Sequence, residues 1–189
     1  GSVRLLTLLM VCMGIIVGTV DIASVAFAEQ LQRPAAASVV LAAYALGSCA
    51  SGLLFGVLQT NVALHRQLLI GAAATAVTTL PLMLAGSIPA LAGAVLMAGL
   101  CFAPTMIVAM TLIERLVPEQ QVTERLTWLL AGLNVGVAMG AAGAGRIVDS
   151  AGVHAGFALA LVAACAVLLV ALQASRKLHS QQTAALMTE

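Results

Sequence analysis

Polar residues punctuate this chain so sparingly that they leave six nearly unbroken apolar runs, approximately Leu5–Ala28, Ala35–Leu58, Leu68–Ala85, Ile88–Ile113, Leu126–Val148 and Gly156–Ala174. A helix needs roughly 20 apolar residues to cross hydrocarbon, and buried helices of soluble proteins are usually shorter. None of the runs shows the alternation of a barrel strand. Inside hydrocarbon every backbone donor and acceptor must find a partner within its own segment, so each run is predicted to be a transmembrane helix. Short connections make successive helices antiparallel. The longest internal connection, Glu114–Arg125 (ERLVPEQQVTER), carries three Glu and two Arg and is expected to be a solvated loop. The predicted fold is all-α, a six-helix polytopic membrane domain over residues 1–178 followed by a polar, frayed tail at 179–189.

Composition sharpens this picture. Hydrophobic residues make up 62 % of the chain and charged residues 8 %, against about 25 % charged in soluble domains, and the mean hydropathy is +1.11. A net charge of +1 with no basic cluster excludes a nucleic-acid partner. Cys12, Cys49, Cys101 and Cys165 lie far apart inside apolar runs, so no metal site, redox motif or cofactor is expected. The opening Gly-Ser is set aside as a cloning remnant or the edge of an excised domain. The first run ends in Glu29-Gln30 rather than in small residues, so it is read as a span and not a cleaved signal.

Lys and Arg set the orientation. Arg4, Arg66, Arg115, Arg125, Arg176 and Lys177 fall on one side, and Arg33 and Arg146 on the other. The positive-inside rule then predicts a multi-pass protein of the cytoplasmic membrane with both termini in the cytoplasm.

Membrane helices associate by close packing, which small residues four apart permit. Such stripes occur as Gly14/Gly18 in the first span, Ser48/Gly52/Gly56 in the second and Gly132/Gly136/Gly140 in the fifth, with Gly143 and Gly145 beyond. These three helices are expected to touch other helices. The sixth, Leu, Val and Ala all round, is expected to face lipid.

One ionisable residue lies deep within a span. Asp21 falls roughly 7 Å outward of the midpoint of the first run, where an acid costs about 2.5–3.5 kcal/mol on insertion scales. Thr7, Gly14, Gly18 and Ser24 share its helix face, which should look into the protein. It could accept a proton, bind a cation or pair with a cationic substrate. Tyr44 on the second span sits at similar depth and could hydrogen-bond Asp21 or a substrate. Asn134 enters the fifth span about 12 Å from the cytoplasmic side and needs a partner. Pro104 removes a backbone hydrogen bond in the fourth span and introduces a kink, a hinge or a static bend.

Gly145, Arg146, Asp149 and Gly152 form a turn-like motif at the end of the fifth span, in which the Arg and Asp could satisfy each other and the freed carbonyls. The spacing Gly145-x-x-x-Asp149-x-x-Gly152 resembles the core of the signature that major facilitator superfamily transporters carry between the second and third helices of each six-helix half. In the segment Gly52–Arg66 a degraded copy follows the second span: Gly52, Gly56 and His65-Arg66 remain, while Gln59 and Thr60 stand where the acid belongs. The better copy lies on the outer side and lacks the trailing basic pair, which suits a half built as two inverted three-helix repeats. VDIASVAFAE and ERLTWLLAGLNVGVAMGAAGAGRIVD are similar to the C-terminal halves of bacterial drug or sugar exporters.

The resemblance implies half of a secondary active transporter, helices seven to twelve. It would move a small organic solute, by export, through alternating access against another six-helix half in the same chain or a second copy. The lipid bilayer and the solute are then its partners, with Asp21 as a candidate for proton coupling. The alternative is a non-transporting assembly module, or a half-size protein acting only as a homodimer. An intramembrane protease is disfavoured, because His65, His154 and His179 all lie in connections or the tail and no buried nucleophile can meet a base.

Overall fold

In a computed structural model, the backbone is described for residues 2–57 and 62–186, with side chains for 3–57 and 62–177. Among the described residues the chain is helical, with six helices long and apolar enough to cross a membrane. They are α1 (Ser2–Gln30), α2 (Ala36–Val57), α3 (Leu64–Thr79, continued by a 3-10 turn at Leu80–Leu84), α4 (Ile88–Leu116), α5 (Glu119–Ala151) and α6 (Val153–Leu186). It is an all-α polytopic membrane protein.

The helices run past the apolar segments that announce them. The stretch expected to be a solvated loop is mostly helix: α4 carries on through Arg115, only Val117 and Pro118 interrupt it, and α5 starts at Glu119. The reason is local. Glu, Gln, Arg and Leu are good helix formers even in water, and Pro118 stands just before the first helical residue, where its missing N–H costs nothing. With 33 residues, α5 is about 50 Å long and must project beyond the roughly 30 Å of hydrocarbon. The α6 backbone likewise continues as helix to Leu186, beyond the last apolar run.

The packing is organised as two related halves. α1 packs most extensively on α5, and α4 on α2; α1 also packs on α6, and α4 on α3; α3 and α6 pack on each other. Exchanging α1–α3 for α4–α6 maps these pairings onto one another. One pairing breaks the symmetry: α5 touches α6, whereas α2 and α3 form no such contact among the described residues.

Backbone proximity holds both major pairs together. A side chain at Gly14 or Gly18 would run into the carbonyl of Leu133 or Val137, and one at Gly136 or Gly140 into that of Val11 or Ile15. In the other half Gly47 lies against the Leu96 carbonyl and Gly99 against that of Tyr44. Gly132 faces the Thr7 side chain instead, with an added Cβ 3.1 Å from Thr7 Cγ2. Of the Ser48/Gly52/Gly56 stripe, Gly52 approaches Ala103 while Gly56 borders open space.

The expectation that α6 faces lipid is corrected. Ala160, Ala163, Ala164, Val167, Ala171 and Ala174 are buried on one side of it, and Phe157 meets Phe27 of α1 with ring centroids 6.4 Å apart. Alanine is small enough to form a helix interface without glycine.

Candidate functional site

Asp21 is half-buried on α1, beyond the Gly14/Gly18 contact with α5. Tyr44 approaches it from α2, close enough for the carboxylate charge to act on the phenol. The backbone of Tyr44 is held against Gly99, and its ring packs on Phe102 of α4 at 5.9 Å and 55°. Contacts with α4 therefore hold the backbone and ring of Tyr44 in place. No hydrogen bond or ion pair engages the Asp21 carboxylate among the described residues.

One turn further along α1, Ser24 is fully buried and its hydroxyl has no hydrogen-bond partner. Thr19, also buried, donates to the Gly140 carbonyl at 3.5 Å. A buried polar atom without a partner costs about 1–3 kcal/mol, and Ser24 stands within one helical turn of an unpaired acid.

Asn134 is not part of this group. It lies on the exposed side of α5, where its Nδ2 donates to the carbonyl of Leu130 at 2.8 Å. The level of Asn134 is fixed by the contact of Leu133 with Gly14, which puts it roughly 10 Å along the axis from Asp21.

Pro104 lies inside α4 and leaves the Leu100 carbonyl without its helical donor. Thr105 beside it donates to Cys101 at 2.8 Å. Thr75, Thr78 and Thr79 likewise bond to their own helix, through the carbonyls of Gly71, Ala74 and Ala76.

The motif after the fifth span is not a turn over its whole length. Gly145, Arg146 and Asp149 are all within α5, and only Gly152 leaves the helix, with φ 85° and its N–H bonded to the Val148 carbonyl at 2.9 Å. Arg146 and Asp149 are exposed, and no ion pair joins them. The helix here still satisfies its own carbonyls, so the two charges are not needed to cap a helix end. Gly145 borders open space. Asp149 instead lines a groove of about 470 Å³ with Glu29, Gln30 and His154, between the ends of α1 and α5. In the degraded copy Gly52, Gly56, His65 and Arg66 are described, while Gln59 and Thr60 lie outside the described residues.

Sequence reasoning missed Gly47, Gly99 and Phe102. Ala43, Gly47 and Ser51 form a small-residue stripe at the same spacing as Ser48/Gly52/Gly56, rotated by one residue, and that was the available signal.

Six spanning helices arranged as two triplets with matching pairings define an all-α polytopic membrane protein. The profile of the Major Facilitator Superfamily matches residues 6–186. The chain belongs to that superfamily, a family of membrane transporters and not of enzymes. No curated protein matches it.

Proposed function

We propose that this chain is one six-helix body of a secondary active transporter that exports a small organic solute, a drug-like compound or a sugar, across a bacterial cytoplasmic membrane. It rocks against a second six-helix body, in the same polypeptide or in another copy, around a site near the membrane centre. Both termini lie in the cytoplasm. Asp21 carries the coupling proton, and Tyr44 positions the acid or the solute. Pro104 is the hinge of α4.

One observation carries this reading: Asp21 stands half-buried within an apolar span, with no hydrogen bond or ion pair among the described residues. An acid at that depth is costly unless it has work to do. An assembly module has no use for it, whereas a transporter needs a group that alternates between charged and neutral. The nearby Ser24 hydroxyl, buried without a partner, offers a second polar atom on the same helix.

Uptake into proteoliposomes holding both six-helix bodies tests the proposal, with wild type and Asp21→Asn compared across an imposed pH gradient. Asp21→Asn should lose gradient-driven accumulation while keeping the fold. Unchanged accumulation by the variant removes Asp21 from the mechanism.

A further inference from the structure

Where α1 and α5 begin, at the end of their shared seam, a cavity of about 240 Å³ is lined by Val3, Arg4, Thr7, Arg125 and Trp128. One arginine comes from each helix, and among the described residues neither enters an ion pair. The Thr7 hydroxyl bonds the Val3 carbonyl at 3.2 Å, which leaves the two guanidinium groups and the Trp128 indole N–H as the side-chain donors lining the cavity. Glu124, next in sequence to Arg125, is exposed and does not pair with it.

The depth of these residues decides what fits. Arg4 is the last charged residue before the apolar run that starts at Leu5, and Arg125 the last before the run that starts at Leu126. Both helices thus place a cation at the boundary between headgroups and hydrocarbon. Trp128, 57 % exposed, stands one turn further in, where indole rings favour the interface. The cavity is cationic at its watery edge and apolar on its other side, a combination that matches an amphiphile.

The fold provides an internal comparison. The start of α4 and the connection before α2 are related to this region by the exchange of the two halves, and they form a second cleft at the opposite end. It is lined by Leu31, Arg33, Gly86, Ser87, Ile88 and Pro89. Only one cation is present there, and Ser87 is engaged in accepting from the Ala90 N–H at 3.4 Å. The architecture repeats the niche, and the sequence supplies paired arginines at one end alone.

We infer that this cavity holds the headgroup of an anionic phospholipid, with its phosphate between Arg4 and Arg125 and the upper part of its chain against Trp128. Two guanidinium groups can each donate paired hydrogen bonds to phosphate oxygens. Basic pockets between membrane helices select anionic headgroups on this principle. Bound there, the lipid would bridge α1 and α5.

The chain has one tryptophan, and it lines this cavity, so its fluorescence reports on the site directly. The 189-residue chain is reconstituted in phosphatidylcholine vesicles with small fractions of brominated phosphatidylglycerol or brominated phosphatidylcholine. Half-maximal quenching of Trp128 should need on the order of tenfold less of the anionic lipid. Arg4→Gln with Arg125→Gln should abolish the preference and leave the emission maximum unchanged, while Arg33→Gln should keep it. Added salt should weaken the preference in the wild type, a readout that stands even if the double variant fails to fold. Inorganic phosphate at millimolar concentration should have no effect. The inference is overturned by equal quenching from both lipids, or by a preference that survives the double substitution. Displacement by inorganic phosphate would mark a free-anion site, and loss of the preference on adding the second six-helix body would mark a protein contact; either also overturns it.

Discussion

The carbonyl oxygen of Leu133 occupies the space into which a side chain at Gly14 would project. The relationship is reciprocal along the seam, since Gly136 and Gly140 receive the carbonyls of Val11 and Ile15 in the same way. Without a hydrophobic driving force between helices, this approach of backbone to backbone is what holds α1 to α5. It also sets the rotation of α1, and so the direction in which Asp21 points.

Gly14→Leu should therefore force α1 and α5 apart and destabilise the protein by about 1–3 kcal/mol, the usual cost of overpacking. Gly56→Ala, at a position bordering open space, should be silent. Denaturant or thermal unfolding in detergent micelles, comparing the two variants, checks the contrast.

Arg146 and Asp149 should be energetically independent, because no ion pair joins them. A double-mutant cycle with Arg146→Ala and Asp149→Ala is expected to give a coupling below about 0.5 kcal/mol. A larger coupling would restore the ion pair that the sequence spacing suggests.

Much of the fold was legible because lipid imposes a simple rule: long apolar runs become helices, and six such runs were plain. The Gly14/Gly18 and Gly136/Gly140 spacing also stood out, since small residues four apart share a helix face. What was lost had physical causes too. Helix ends at Glu119 and beyond Ala174 escaped because helix formation does not stop at the edge of hydrocarbon. Gly47 escaped because one residue turns a helix by about 100°, and Ser48/Gly52/Gly56 was the more conspicuous stripe. The inward face of α6 escaped because its small residues are alanines. For the site, Asp21 and Tyr44 could be named by depth alone, whereas Phe102 and the outward position of Asn134 depend on helix rotation, which composition does not reveal.

Pro104→Ala should supply the backbone N–H that the Leu100 carbonyl lacks. Hydrogen exchange by mass spectrometry is expected to show stronger protection over residues 100–105 in the variant. Transport should slow in the variant, and an unchanged rate would remove Pro104 from the mechanism.

Tyr44→Phe should keep the ring packing on Phe102 and change stability by less than about 1 kcal/mol. If the phenol positions the acid or the solute, transport should fall by at least about tenfold, the effect of losing roughly 1.4 kcal/mol. Unfolding and uptake measured on the same preparation separate these two effects.

The most direct measurement is proton movement itself. Proteoliposomes containing both six-helix bodies and a trapped pH dye are given solute with no pH gradient imposed. Solute entry by the wild type should change the internal pH, and Asp21→Asn should move solute with no pH change. An equal pH change in the variant and the wild type would contradict the assignment of the coupling proton to Asp21.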